Sequence, residues 1–138
     1  SPLLGWRDTL AQTCASRVVV TINPNSLDHC LWLYPENEWQ EIARKLARLP
    51  AMNRRNQLIQ RLVLGHAAEL ELDSQGRILL PGELRDYAGL DKLVALVGQV
   101  HKFEIWSEAA WKSGREQWGE EALRQDGEGS VELDEMVW

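Results

Sequence analysis

The stretch Ala68-Glu-Leu-Glu-Leu-Asp-Ser-Gln-Gly-Arg-Ile-Leu-Leu-Pro81 decides how the chain is read. Glu69 to Leu72 alternates with period two, which turns the leucines toward a core and the glutamates toward water, as on a half-buried strand. Asp73 to Gly76 then reads as a tight turn. Glycine supplies a positive φ there without steric cost, and the aspartate side chain accepts bonds from the amides that follow it. Ile78 to Pro81 is the expected returning strand, and Arg77 is held at its start. The unit is a hairpin with a cation on its corner.

Working outward from this hairpin, the chain is self-similar. Arg17-Val-Val-Val-Thr-Ile22 aligns with Lys92-Leu-Val-Ala-Leu-Val97 at a shift of 75, and Cys30-Leu-Trp-Leu-Tyr34 aligns with Lys102-Phe-Glu-Ile-Trp106 at a shift of 72. The first loop, Asn23 to His29, is then three residues longer than the second, Gly98 to His101. Pro35-x-x-x-Trp39 and Ser107-x-x-x-Trp111 each open a helix, because proline is tolerated in a first turn and serine caps well. Upstream, Trp6-Arg7-Asp8 matches Leu84-Arg85-Asp86. One repeat is a short turn of helix, a hairpin and a longer helix. The first copy has only Ser1-Pro2 where the second has the 68–81 hairpin, so the expectation is that native residues precede Ser1.

Between the copies, Asn53 to Leu64 places Leu58, Ile59, Leu62 and Val63 on one face and Arg54, Arg55 and Arg61 elsewhere, the pattern of an amphipathic helix. Asn53 can cap it, Gly65 can end it, and Pro50 separates it from a helix over Trp39 to Leu49. A last helix spans about Glu108 to Leu123 and runs into Gly127-Glu-Gly129 and a frayed tail. The expected division is a first repeat over 1–50, a linking helix over 51–66, a second repeat over 67–124 and an acidic mobile tail over 125–138.

A chain of 138 residues that is 44% hydrophobic can bury the core of one compact domain. No apolar run approaches the ~20 residues that cross a bilayer, and no signal peptide opens the chain, so a soluble cytoplasmic protein is expected. Cys14 and Cys30 show no metal-ligand spacing, and the three histidines are scattered, so no metal or cofactor is expected. The net charge of −6 taken alone disfavours a polyanionic partner, but its distribution matters more. Glu116 to Trp138 holds eight acids against Arg124, a balance of −7, and −6 minus −7 leaves +1 for residues 1–115. Arg44 to Arg61 holds six cations and no acid.

The run Arg61-Leu-Val-Leu-Gly65-His-Ala67-x-Glu69-x-x-x-Asp73-x-x-Gly76-Arg77-Ile-Leu-Leu-Pro81-x-x-Leu84-Arg85-x-Tyr87-Ala-Gly-Leu90 resembles the signature of the MraZ family. The flanking Leu31-x-Leu-Tyr-Pro35-x-x-x-Trp39 and Val97-Gly-x-x-x-Lys102-Phe-Glu-Ile-Trp106 resemble it too, so the likeness covers residues 6 to 112. The resemblance implies an α+β fold of two pseudo-repeated AbrB-like swapped-hairpin modules, forming a small β-barrel-like sheet flanked by helices. It implies a non-enzymatic, nucleoid-associated transcriptional regulator that assembles as a ring-shaped homo-oligomer. Its partner would be double-stranded DNA, at repeated sites in the promoter of the division and cell-wall operon, with no membrane or small-molecule substrate. Each module of the family carries a DxxxR motif. Here that motif is Asp73 to Arg77, with Gly76 inside it and the equivalent cations Arg7 and Arg85 counted beside it as DNA-binding residues; the first copy shows no counterpart of Asp73.

Plainer readings stand next to these. Asp73 and Arg77 read equally well as a structural ion pair, and the basic stretch as a solvated helix face or a partner for acids on another subunit. Trp39 and Trp111, in equivalent positions one turn into their helices, suit helix-on-sheet packing better than base stacking. Glu69 and Glu71 share a strand face and would be the carboxylates of a small hydrolase, although the water side of an alternating strand accounts for them. The alternative function is an antitoxin-like protein-interaction module of the same fold with little DNA affinity.

Overall fold

The structure, a computed structural model, describes residues 16–25, 27–124 and 131–136; Arg7, Asp8 and Cys14 lie outside them. In chain order the elements are β1 (Arg17–Ile22), β2 (Leu31–Pro35), α1 (Glu36–Ala47), α2 (Arg54–Gly65), β3 (Ala68–Glu71), α3 (Gly82–Ala88), β4 (Val94–Gly98), β5 (Phe103–Ser107), α4 (Glu108–Arg124) and α5 (Val131–Asp134). They form two compact units, Ser1–Ser107 and Glu108–Trp138, where composition suggested one. All five strands belong to one antiparallel sheet in the order β3-β1-β2-β5-β4. The fold is α+β, as expected.

The sheet is open and not barrel-like. Among the described residues β3 and β4 are its edges, and no pairing joins them. The reason lies in the arm after the Asp73 corner. Ile78 and Leu80 pack on the core while Leu79 points to water, the alternation of a strand, yet the arm has no ladder partner among the described residues. The hairpin expected over 68–81 is therefore a paired strand, a corner and an extended arm without a ladder partner among the described residues. β3 belongs to the second copy in sequence but pairs with β1 of the first, Val19 facing Glu69 and Val20 facing Ala68.

The two hairpins, β1–β2 and β4–β5, meet along β2 and β5. Leu31 faces Ile105, Trp32 faces Glu104 and Leu33 faces Phe103. Since Leu31 corresponds to Phe103 and Leu33 to Ile105, exchanging the copies reproduces this pairing, and a local pseudo-twofold passes through the Trp32–Glu104 pair. The same registers correct the alignment of the outer strands. Val20 faces Leu33 and Leu96 faces Ile105, so Val20 corresponds to Leu96, a shift of 76 and not 75. The first loop is thus four residues longer than the second. A one-residue slip exchanges the faces of a strand, so burial decides between the two shifts: Val20 and Leu96 both lie in the same core cluster.

β1 is the central strand for packing. Its residues 18–22 are all buried, so both faces of the sheet carry a core there. Val18, Val20, Ile22, Leu31 and Leu33 pack on one side with Leu84 and Ala88 of α3. Val19 and Tyr34 pack on the other with Trp39 of α1 and Val63 of α2. Full burial of a Val or Leu side chain contributes roughly 1.5–3 kcal/mol, so the four buried aliphatic residues of this strand are a large source of apolar stabilisation. Thr21 is the one polar residue among these five buried positions, and its Oγ1 donates to Val63 O at 2.6 Å, satisfying a carbonyl at the end of α2 that the helix leaves open.

Asn53 caps α2 as expected, its Oδ1 accepting from the Asn56 amide at 3.0 Å. The connection to α1 is tied down by Asn56 and Gln57, which donate to Pro50 O and Ala51 O, and by Gln60, which donates to Leu46 O. α2 ends at Gly65 with His66 as its C-cap at φ −98°, so the glycine does not stop it through a left-handed turn. Cys30 is buried, and desolvation pushes its thiol up to about 12. In the second unit, Trp111 and Trp118 of α4 lie 5.6 Å apart between ring centroids, and a Cβ at Gly114 would collide with the Trp118 ring. No helix among the described residues is long and apolar enough to cross a membrane.

Candidate nucleic-acid interface

β3 delivers the chain to the corner at Asp73. Leu72 N donates to Ser16 O at 2.8 Å, extending the β1–β3 ladder by one bond to the last residue before the turn. Asp73 N donates to Arg77 O at 2.8 Å and Gly76 N donates to Asp73 O at 2.9 Å, which closes a three-residue connection over 74–76. Gly76, at φ 75°, occupies the left-handed position such a connection needs at its last residue.

Both oxygens of the Asp73 carboxylate are used inside this turn. Oδ1 accepts from the backbone amides of Gln75 at 2.9 Å and Arg77 at 2.8 Å, and Oδ2 accepts from Arg77 Nε at 2.9 Å. The Arg77 amide above all, helped by the Arg77 guanidinium and the Gln75 amide, holds this carboxyl below its ordinary value against the desolvation that opposes it. The ion pair and the orientation of the cation are therefore one arrangement. Arg77 keeps 71% of its side chain exposed, and its two Nη groups have no partner among the described residues. A guanidinium held by Nε presents its outer edge, whose N–H groups fit two phosphate oxygens or the O6 and N7 of guanine.

Of the residues singled out in the sequence, Asp73, Gly76 and Arg77 are brought together in this one turn. Arg85 is not part of it. It is exposed on α3, with its Nη2 3.8 Å from where a Cβ of Gly82 would stand, and no hydrogen bond or ion pair joins it to the corner. Arg7 lies outside the described residues. One positioning contact, made by Tyr87, escaped the sequence reading. Tyr87 Oη donates to Asn23 O at 2.6 Å, and its ring lies 5.2 Å from that of His29, so α3 is docked on the first hairpin's loop. Nothing local marks a contact between residues 64 apart.

Glu69 and Glu71 share a strand face, as expected. Glu71 is 3.7 Å from Arg17, which also reaches Glu36 at 4.0 Å, and these residues line a polar opening of about 270 Å³. Among the described residues no group of three or more His, Cys, Asp or Glu is placed to hold a metal ion.

Comparison with known proteins bears on the same residues. The family model described as "MraZ protein, putative antitoxin-like" matches twice, over residues 7–62 and 63–133, in keeping with the internal repeat. The chain is similar to the transcriptional regulator MraZ of Thioalkalivibrio sulfidiphilus, 52% identical over 84% of this chain and 75% of that protein. It is 50% identical to the transcriptional regulator MraZ of Alkalilimnicola ehrlichii over 88% of this chain and 79% of that one. The transcriptional regulator MraZ of Halorhodospira halophila matches at 45% over 95% and 85%. Two repeats, the Asp73–Arg77 corner and these likenesses along nearly the whole sequence lead to one conclusion: the chain belongs to the MraZ family.

Proposed function

We propose that the chain is a sequence-specific DNA-binding transcriptional regulator, acting on the promoter of the division and cell-wall operon as a ring-shaped homo-oligomer. The observation that carries the reading is Arg77, fixed by Nε and its own backbone to Asp73 and turned to solvent on a family whose relatives are named transcriptional regulators. One such contact is weak. Repetition of the module around a ring, on DNA with repeated sites, makes weak contacts act together and gives affinity a steep salt dependence. In this reading the repeats over 1–50 and 67–124 are the functional units, Arg7 and Arg85 supply further phosphate contacts, and the protein works in the cytoplasm on the nucleoid. Catalysis, cofactor and metal have no part in it.

The test is binding to its own promoter against random DNA at moderate salt. Preference for the promoter, lost in Arg77→Ala with a shallower salt slope, supports the reading; equal affinity for both DNAs overturns it. A second reading, an antitoxin-like interaction module, draws on the family description and on the net charge of −6. A stoichiometric protein partner recovered after nuclease treatment, with no promoter preference, selects it.

A further inference from the structure

No acidic residue lies between Glu41 and Glu69, while six cations do. Arg44 is bonded to Glu41, but Lys45, Arg48, Arg54, Arg55 and Arg61 are exposed and have no ion pair among the described residues. They sit on the α1–α2 hairpin, whose connection is fixed by the Asn56, Gln57 and Gln60 bonds, so the cations are carried on a rigid support. Arg54, Leu58 and Arg61 fall at i, i+4 and i+7 and form one stripe along α2, with Leu58 38% exposed. Met52 is 94% exposed in the connection leading into the helix. The first turn of α2 holds no acid, so its arginines add to the positive end of the helix dipole instead of offsetting it.

α4 carries the opposite pattern. Glu116, Glu120 and Leu123 also fall at i, i+4 and i+7, all exposed, with Leu123 at 80%. Glu120 stands near the C-terminal end, where the dipole is already negative. Two stripes of equal spacing, one Arg-Leu-Arg and one Glu-Glu-Leu, are thus opposite in charge, and each carries one exposed leucine.

From this complementarity we propose that the Arg54, Leu58 and Arg61 face of α2 docks the Glu116, Glu120 and Leu123 face of α4 from a second copy of this chain. The inference rests on the homo-oligomer reading above and assigns its interface. A nucleic acid is the weaker occupant, because a phosphate backbone offers nothing for Leu58 and Met52 to bury against, while the leucine on α4 does. Charge pairs of this kind also choose partner and register more than they add affinity.

The experiment is charge reversal in the full chain, read by mass photometry or sedimentation. Arg54→Glu with Arg61→Glu, or Glu116→Arg with Glu120→Arg, each raises the concentration for half-assembly about tenfold or more, and added salt weakens wild-type assembly. An equimolar mixture of the two double variants restores it, because every junction then pairs a native stripe with a native one or a reversed with a reversed. Circular dichroism confirms that each variant is folded; a variant that is not is replaced by the neutral Arg54→Gln with Arg61→Gln or Glu116→Gln with Glu120→Gln. Wild-type assembly untouched by both reversals overturns the proposal, as does loss that mixing fails to rescue, which places the contact within one chain. Unchanged assembly with weakened DNA binding makes the α2 stripe a phosphate contact and also overturns it. A wild-type chain that stays near 15.8 kDa overturns the homo-oligomer reading itself, a separate outcome.

Discussion

Asp73 uses both its oxygens inside its own turn, so the corner depends on its charge. Its carboxyl is held below the ordinary value, and the sign of the pH dependence follows. A depressed carboxyl stabilises the fold above the unfolded value, about 3.9, and that contribution is lost as pH falls through the folded value. A carboxyl-carbon NMR titration is expected to show Asp73 deprotonating below that unfolded value, with the Gln75 and Arg77 amide shifts moving at the same pH. In Asp73→Asn those amide movements vanish. Gly76→Ala tests the backbone instead: a left-handed alanine costs roughly 1–2 kcal/mol, read as a lower urea midpoint at unchanged slope. This corner was legible in the sequence because every contact in it is within four residues. The Tyr87 bond to Asn23 was not, since only the folded sheet brings α3 beside that loop.

Among the elements, β1 has the most demanding surroundings, with cores on both faces and a hydroxyl in between. Thr21→Val keeps the shape but leaves Val63 O buried without a partner, which is expected to cost about 1–3 kcal/mol in urea denaturation, with amide exchange in the last turn of α2 rising first. The strands were recognisable from period and from β-branched runs, and α2 from its capping asparagine. Two features of the strands were misread, each for a physical reason. The shift of 75 rested on similarity among interchangeable aliphatic residues; the true shift of 76 is fixed by pairing with β2 and β5, which no local pattern encodes. Ile78 to Leu80 has a strand's alternation because it covers a core, and its lack of a ladder partner is a property of the sheet and not of its residues.

At the scale of the molecule, the sheet is a seam between two half-units. Leu33 stands on that seam, facing Val20 on one side and Phe103 on the other, and is almost fully buried. Leu33→Ala is expected to cost about 2–5 kcal/mol and to lower exchange protection in β1 and β4 by the same factor, because the halves share one core cluster and unfold together. Unequal losses would show that the hairpins melt separately. The strand order was not legible in the sequence: β3 crosses from the second copy to β1 of the first, a partner exchange that repeat spacing alone does not reveal.

The Trp32–Glu104 pair at the pseudo-twofold carries a last consequence. Were the halves separate, identical molecules, whatever stood at this point would have to meet its own image, and a carboxylate would meet a carboxylate. Tandem fusion lifts that restriction. The position is free to differ between the halves, and it does: an indole lies across from a carboxylate, with the Lys102 ammonium 4.7 Å from the indole ring centre.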